Sequence, residues 1–121
     1  MGNDRDEMSE CLFCQIVRGE VPSTKVAESE RSYAFYDIAP SAPVHVLVVP
    51  KVHVDSADTV RLEDRGVVDD LVVLAQRVAD LEGVRESGYR LVMNVGEDAQ
   101  NSVGHLHLHV LGGRHLEWPA G

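Results

Sequence analysis

Apolar and polar residues follow a helical period in one long segment of the chain. Between Glu63 and Leu81, apolar residues recur at steps of three and four, while charged residues occupy the opposite face. This pattern predicts an amphipathic helix over that segment. A shorter helical pattern runs from Cys11 to Arg18 and ends at Gly19, a residue type that commonly follows a helix.

The remaining apolar segments have the composition of strands. They are rich in β-branched and aromatic residues and are bounded by glycine, proline or polar turns. One main helix, a short N-terminal helix and an antiparallel sheet of about five strands make an α+β fold. The predicted strands are Lys25–Glu28, Ser32–Asp37, Val44–Val49, Tyr89–Val95 and His105–Leu111.

The 121 residues are enough for one compact domain. We predict a single domain over residues 11–121, preceded by a flexible polar tail over residues 1–10. That tail has no apolar region of the kind found in signal peptides, and no apolar run approaches the roughly 20 residues of a membrane-spanning helix. We therefore expect a cytoplasmic protein without a membrane partner.

The charge balance argues against one class of partner. The formal net charge is −9, from 20 acidic and 11 basic residues, and the sequence has no cluster of lysine or arginine that could follow a nucleic-acid backbone. We therefore expect no nucleic-acid partner. A small anionic ligand stays compatible, because salt screens charges beyond about 10 Å.

Three histidines alternate with leucines in the last predicted strand. Since alternate residues of a strand share a face, His105, His107 and His109 would line one face at intervals of about 7 Å, with the leucines pointing into the core. Three imidazoles are an unfavourable core filling, because each has two nitrogens that need partners. The pattern therefore indicates a functional site. The spacing argues against a single ion bound by all three, so the three residues would have different roles.

The two cysteines, Cys11 and Cys14, form a C-x-x-C pair. In a cytosolic protein such a pair is more often a metal-binding or redox motif than a structural disulfide. A redox pair typically follows a strand and opens a helix. Here a polar tail precedes the pair, which favours metal binding.

The segment His105–Leu111 resembles the H-φ-H-φ-H-φ-φ signature of the histidine triad (HIT) superfamily. The resemblance covers nearly the whole chain from Cys11, and the short tail after the triad is more similar to the Hint-like branch than to the dinucleotide polyphosphate hydrolases. It implies the HIT-like fold, binding of a purine nucleotide, hydrolysis of nucleoside 5′-phosphoramidates and a homodimer. The other segments that fit this branch are Cys11–Cys14, Ala34–Ile38, Ala42–His45, Val49–His53 and Leu111–Pro119.

The resemblance also implies catalytic roles. His107 would be the nucleophile that forms a transient nucleotidyl-histidine, which requires a neutral imidazole with one free nitrogen. His109 would donate to the α-phosphate, and His45 would support the triad from the neighbouring strand. Asn94 and Ser102 are similar to the residues that hold the α-phosphate and the leaving-group side, respectively, although each alone would equally suit a turn.

The same resemblance implies a nucleotide pocket. Asp37 is similar to the carboxylate that accepts the ribose hydroxyls, and Trp118 to a residue that reaches toward the site of the partner subunit. Taken alone, Asp37 would also suit a turn cap, and the apolar residues would also suit the core. The apolar walls around the base would be Leu12, Phe13, Phe35, Ile38 and Leu47.

A structural zinc ion is a further implication. Zinc-bearing members of the superfamily use a C-x-x-C pair with the histidine of a P-K-x-H segment and the first triad histidine. The four matching residues are soft or borderline ligands that suit a closed tetrahedral site. The alternative is a metal-free form with two buried thiols, as in relatives that lack the pair. The predicted ligands are Cys11, Cys14, His53 and His105.

Two residues depart from the pattern of the animal-type proteins, and two other functions compete with hydrolysis. Asn101 stands where those proteins commonly have Gln, and Gly104 where they have a bulky aromatic residue, so the leaving-group side would be more open. One competing function is a nucleotide-binding scaffold or sensor dimer with only vestigial hydrolysis. The other is a zinc-binding module whose histidines are all ligands or supports of ligands.

Overall fold

A computed structural model describes residues 11–121, so the tail predicted over residues 1–10 lies outside the described residues. Residues 11–121 contain two α-helices, five strands and three short 3₁₀ turns. The helices are α1 (Leu12–Val17) and α2 (Arg65–Leu81), the strands are β1 (Lys25–Glu28), β2 (Ser32–Tyr36), β3 (Val44–Pro50), β4 (Tyr89–Val92) and β5 (Leu108–Gly112), and the 3₁₀ turns are Ala57–Thr59, Leu62–Asp64 and Glu97–Ala99.

The five strands form one antiparallel sheet in the order β1-β2-β3-β5-β4. Strand β3 lies at the centre, where Leu47 pairs with His109 of β5 and His45 pairs with Leu111. Strand β4 pairs with β5 alone and forms one edge, with Val92 opposite His109. The predicted α+β fold, with about five antiparallel strands and one main helix, is confirmed.

Two apolar clusters cover the two faces of the sheet, because alternate residues of a strand point to opposite sides. Helix α2 packs on one face, where Leu106 and Leu108 are buried as predicted. Helix α1 packs on the other face, which it shares with the histidines. The cluster under α1 consists of Phe13, Ile16, Phe35, Leu47 and Val49.

Three predicted boundaries were wrong by two or three residues. Helix α2 begins at Arg65 rather than Glu63, because a 3₁₀ turn comes first and the Asp64 carboxylate accepts the backbone N–H of Arg61 at 3.0 Å. Strand β4 ends at Val92 rather than Val95, where its pairing with β5 stops at His109, and β5 begins only at Leu108, which pairs with Val48 of β3. Two of the three triad histidines therefore precede the strand.

Helix α2 is the longest helix of residues 11–121, and none of the helices in this range is long and apolar enough to span a membrane.

Candidate active site and metal centre

The segment that carries the first two triad histidines leaves the sheet before β5 begins. The backbone N–H of Leu106 donates to the carbonyl of Val54 at 2.6 Å, so this segment pairs with the loop after β3 rather than with β3 itself. The prediction that the three histidines line one regular strand is therefore wrong for His105 and His107. This change of partner gives the two side chains separate surroundings.

His107 is held in one tautomer by its own backbone. Its Nδ1 lies 2.8 Å from the carbonyl oxygen of His105, and a carbonyl only accepts, so Nδ1 carries the proton. The other nitrogen, Nε2, therefore has a free lone pair. The ring is buried, with 8% of the residue exposed, and Phe13 packs edge-on against it at a centroid distance of 5.1 Å. A neutral imidazole with one free nitrogen is the form that a nucleophile needs.

His45 and His109 form a hydrogen-bonded chain whose direction follows from its first donor. The backbone N–H of Ser41 donates to Nδ1 of His45 at 2.9 Å, so the proton of His45 is on Nε2. That Nε2–H lies 2.9 Å from Nδ1 of His109 and therefore donates to it. His109 must then carry its own proton on Nε2, a buried nitrogen without a partner among residues 11–121. The chain ends in a donor ready for an anion.

Burial keeps these imidazoles neutral. It lowers the pKa of His109 to about 4, with further lowering by His107 and His45 and a smaller opposing effect of Asp37. Burial also lowers the pKa of His45, against an opposing effect of Asp37. Neutral His45 and His109 are what the hydrogen-bonded chain requires, because a doubly protonated ring has no acceptor nitrogen.

Asp37 lies beside this chain at the end of β2. One of its oxygens accepts the N–H of Ala39 at 2.8 Å, and the other lies 3.4 Å from Nε2 of His45. Asp37, His45 and His109 thus bring three potential metal ligands together. The 2.9 Å between the two imidazole nitrogens is shorter than the edge of about 3.3 Å in a tetrahedral zinc site. This group is therefore hydrogen-bonded rather than arranged around an ion.

Three distances among the four predicted zinc ligands match those of a tetrahedral site. Nδ1 of His105 lies 3.3 Å from the sulfur of Cys11 and 3.5 Å from that of Cys14, and Nδ1 of His53 lies 3.4 Å from the sulfur of Cys14. A tetrahedral zinc ion with ordinary bond lengths separates its sulfur and nitrogen ligands by about 3.5 Å. All four ligand atoms lie within 4.8 Å of one another. The residues present therefore fit a zinc ion.

The outer nitrogens of the two histidines support this fit. Nε2 of His105 donates to the carbonyl of Pro50 at 2.9 Å, and Nε2 of His53 donates to the carboxylate of Asp55 at 2.8 Å. These donors leave both Nδ1 atoms unprotonated and facing the sulfurs, as metal-ligating histidines require. Burial lowers the pKa of His105 to about 4, with a smaller opposing effect of the hydrogen bond to Pro50, so its ring stays neutral.

The thiol of Cys14 is unsuited to ionise without a cation beside it. Burial, followed by the hydrogen bond and charge of the neighbouring Cys11, raises the pKa of Cys14 to about 11. A bound metal ion reverses this preference, since it deprotonates a coordinating thiol.

Ser102 lies in an open groove of about 800 Å³ beside the metal ligands. Asn101 also lines it, and the side-chain carbonyl of Asn101 is buried without a partner within the described part of the chain. An added Cβ on Gly104 would meet no atom within 4 Å, so a larger side chain would occupy this groove. The further lining residues are Cys11, Leu12, His53, Asp55, Ser56 and Val103.

The predicted nucleotide-binding residues lie in different surroundings. Asn94 is half-buried and lies two residues beyond Val92, the last residue of β4, which pairs with His109. Ile38, on the loop after β2, is 99% exposed, and Trp118 is 84% exposed. The candidate base walls Phe13, Phe35 and Leu47 are buried together, whereas Leu12 is half-exposed at the groove.

Three groups that the sequence did not single out contribute to the site. The backbone N–H of Ser41 fixes the tautomer of His45, and no side-chain pattern reveals such a contact. Asp55 orients His53, and its position two residues later was an available signal. Arg114 donates to the carbonyl of Ser41 at 3.1 Å, and it was visible only as part of the segment after the triad.

Comparison with known proteins gives one consistent family. The model of the HIT domain family matches residues 18–116. A 14 kDa zinc-binding protein of Zea mays is 43% identical over 115 residues, which cover 93% of this chain and 89% of that protein. A purine nucleoside phosphoramidase of Escherichia coli (strain K12) is 37% identical over 107 residues, which cover 88% of this chain and 90% of that protein.

Solved structures agree with the sequence comparisons. The crystal structure of a HIT family hydrolase from Legionella pneumophila Philadelphia 1 superposes with a TM-score of 0.90 at 44% identity. The superposition covers 93% of this chain and 100% of that one. The similarity therefore includes the sheet, both helices and the segments that carry the histidines.

Proposed function

The chain belongs to the HIT domain family, and from that premise we propose that it hydrolyses purine nucleoside 5′-phosphoramidates through a nucleotidyl-His107 intermediate. It is a hydrolase of this family, and its similarity to a purine nucleoside phosphoramidase supports a nucleotide substrate. One observation carries the proposal. His107 has a free Nε2, and the neighbouring His109, at a ring-centroid distance of 5.0 Å, has its proton on the unpartnered Nε2.

In the first step, Nε2 of His107 attacks the α-phosphorus and the P–N bond breaks. The electron pair of that bond leaves with the amine, which takes up a proton. The Nδ1–H of His107 continues to donate to the carbonyl of His105, and this hydrogen bond stabilises the positive charge that develops on the ring. The Nε2–H of His109 donates to a phosphoryl oxygen as negative charge accumulates there.

In the second step, water attacks the phosphorus of the nucleotidyl-histidine. The bond between phosphorus and His107 breaks, the nucleoside monophosphate leaves, and the lone pair returns to Nε2. The products are one nucleotide and one amine for each water consumed, because the attacking water gives up a proton that balances the one taken up by the amine in the first step. The contacts from His105 and His45 need no rearrangement between the steps.

Substrate binding follows from the surroundings of this pair. Asp37 accepts the ribose hydroxyls in the proposal, and Asn94, two residues beyond the pair of Val92 and His109, holds the α-phosphate. Ser102 and the groove beside it take the leaving amine, whose N–H groups meet an acceptor in the unpartnered carbonyl of Asn101. The absence of a side chain at Gly104 suits a bulky amine.

We also propose that the protein binds a structural zinc ion through Cys11, Cys14, His53 and His105. The ligand distances and the similarity to a zinc-binding protein of Zea mays support this cofactor. When bound, zinc supplies thiolate and imidazole cross-links rather than chemistry on the substrate. The role of His105 toward the substrate is then indirect, because its backbone carbonyl accepts the hydrogen bond from Nδ1–H of His107.

A homodimer is the proposed assembly. The edge strand β4 and the residues after it carry apolar side chains that are about 40% exposed, and Trp118 on the tail is 84% exposed. An apolar strand at a sheet edge is a ready surface for pairing with a second copy. The exposed apolar side chains near this edge are Leu91, Met93 and Val95.

Turnover of an adenosine 5′-phosphoramidate with a fluorogenic amine tests the proposal, in wild type and in His107→Ala. We expect wild type to release the amine over many turnovers and His107→Ala to lose at least about a thousandfold in kcat. The variant should bind the product nucleotide within about threefold of wild type, because His107 contributes little to ground-state binding.

Other outcomes would favour the competing functions. Wild-type turnover in His107→Ala would contradict the nucleophilic mechanism. Tight nucleotide binding by wild type without multiple turnovers would favour a scaffold or sensor. His115→Ala, which changes a histidine outside both clusters, is the matched control and should behave as wild type.

A further inference from the structure

Arg114 contacts the loop that holds His45. Its Nη2 donates to the backbone carbonyl of Ser41 at 3.1 Å, and its Nη1 donates to the carbonyl of His115 at 3.0 Å. Arg114 follows β5, whereas Ser41 lies in the loop between β2 and β3, so the first contact joins two segments that are 73 residues apart. The guanidinium group thus links the end of the triad strand to the loop before β3.

Ser41 is the residue that determines the direction of the histidine chain. Its N–H donates to Nδ1 of His45, which leaves the Nε2–H of His45 to donate to His109. Without that donor, His45 can also carry its proton on Nδ1, although the carboxylate of Asp37, 3.4 Å from Nε2 of His45, still favours a proton on Nε2. His109 would then have to donate its own Nδ1–H to His45, and its Nε2 would present a lone pair. A lone pair repels a phosphoryl oxygen where an N–H would bind it.

The backbone beside Arg114 is built to approach this loop closely. Gly113 has a φ of +87°, and an added Cβ there would lie 2.9 Å from Cβ of Pro43 and 3.4 Å from the backbone nitrogen of Val44. A residue with a side chain would push the chain away from the loop. Glycine at this position therefore lets the next residue reach Ser41.

We propose that Arg114 is a positioning residue for the phosphoryl-transfer step, which acts through Ser41 and His45 to keep the anion-facing nitrogen of His109 protonated. This inference rests on the proposed function for its effect on turnover, but not for its effect on the histidines. Arg114 itself touches none of the histidine rings of the site; its contacts are the carbonyls of Ser41 and His115. Its side chain is on the surface, so its removal leaves the apolar clusters intact.

The test compares Arg114→Ala with Arg114→Lys and with Arg85→Ala. Arg85 is a matched control, because it is an exposed arginine whose carboxylate partner, Asp80, lies at the end of α2. The ring nitrogens of His45 and His109 are followed by ¹⁵N NMR at neutral pH, and kcat and KM are measured on the same samples.

In wild type we expect the ¹⁵N shifts to show Nδ1 of His45 unprotonated and Nε2 of His109 protonated. In Arg114→Ala these signals should move toward the average of two tautomers, and kcat should fall by about tenfold while KM stays within about twofold. Arg114→Lys, which retains one donor, should recover much of both readouts, and Arg85→Ala should match wild type.

The inference is wrong if the ¹⁵N shifts of His45 and His109 in Arg114→Ala equal those of wild type. It is also wrong if kcat falls without any change in the ¹⁵N shifts of His45. If wild type itself fails to turn over phosphoramidates, the proposed function fails. The ¹⁵N signals of His45 and His109 then still decide whether Arg114 sets their tautomers.

Discussion

The three triad histidines differ in what the second nitrogen of each ring contacts. In His105 it donates to the carbonyl of Pro50, in His107 it donates to the carbonyl of His105, and in His109 it accepts from His45. These contacts leave a lone pair toward the thiols on His105, a lone pair on Nε2 of His107 and a proton on Nε2 of His109. In the proposed function the three residues are a metal ligand, a nucleophile and a hydrogen-bond donor, respectively.

The low pKa of His109 has a consequence for stability. Burial holds it near 4, against an ordinary value of 6.5, so between these two values the unfolded chain binds a proton that the folded chain does not. The contribution of His109 to the free energy of unfolding should therefore fall as the pH drops from about 6.5 toward 4. The effect should be on the order of 1–2 kcal/mol at pH 5 relative to pH 8.

Urea unfolding of wild type and His109→Gln at several pH values measures this effect. The glutamine does not titrate, so the difference in unfolding free energy between the two proteins should change in favour of the variant as the pH falls. A difference that stays constant from pH 8 to pH 5 would contradict the assigned neutral state.

The residues of the candidate site were predictable from the sequence, but their hydrogen-bond partners were not. The C-x-x-C pair, the first of the alternating histidines and the P-K-x-H segment, interpreted through the family resemblance, identified the four candidate ligands that the structure brings together. The tautomers depend on the backbone groups of Ser41, His105 and Pro50, whose positions arise only from the fold. A side-chain pattern holds no information about which carbonyl will face an imidazole.

Among the elements, α1 would depend most on the proposed metal centre. It has only six residues, and its N-cap is the sulfur of Cys11, which accepts the N–H of Cys14 at 3.5 Å. A helix this short is unstable without tertiary contacts. Its Phe13 packs on both His105 and His107, so a metal that holds α1 in place also orders the wall of the nucleophile.

Removal of the metal should therefore destabilise the protein. Cys14→Ser should abolish stoichiometric zinc binding and lower the Tm by about 10 °C, whereas His107→Ala should retain zinc. Elemental analysis and thermal unfolding check both variants. A chelator should lower the Tm of wild type but leave that of Cys14→Ser unchanged. Zinc retained by Cys14→Ser, or lost by His107→Ala, would contradict the ligand set.

Element types were predictable where hydrophobic periodicity is strong, as in α2 and β3. The boundaries of β4 and β5 were not predictable. The alternation of apolar residues begins at His105–His107, before the segment pairs as strand β5. The hydrogen bond from Leu106 to Val54 replaces pairing with β3 there. A residue pattern records which side chains are buried, but not which backbone supplies the partner.

For the whole molecule, the sheet has edge strands β1 and β4, and β4 is the edge proposed for the dimer. Strand β4 pairs with β5 on one side alone. Arg90 of β4 anchors the C-terminal tail, because its side chain donates to the carbonyls of Leu116 and Glu117. This anchor holds the segment before Trp118 against the same edge that carries Leu91. Edge pairing and the exposed tail would thus both contribute to one dimer interface.

A charged residue at this edge should weaken the dimer. Leu91→Lys should shift the sedimentation equilibrium toward monomer by at least about tenfold in Kd, since a lysine at a strand edge opposes pairing. Leu62→Lys is the matched control, because Leu62 is 85% exposed on a turn away from the sheet. A monomeric wild type, or an unchanged dimer in Leu91→Lys, would contradict the assembly.

The most direct test of the account is to trap the covalent intermediate. Wild type is mixed with an adenosine 5′-phosphoramidate, quenched within milliseconds under conditions that preserve phosphoramidates, digested and analysed by mass spectrometry. The nucleotidyl-His107 mechanism predicts a transient adenylyl group on His107 that forms and decays at rates consistent with kcat, and none in His107→Ala. Turnover without an adduct, or an adduct on another residue with the same kinetics, would contradict it.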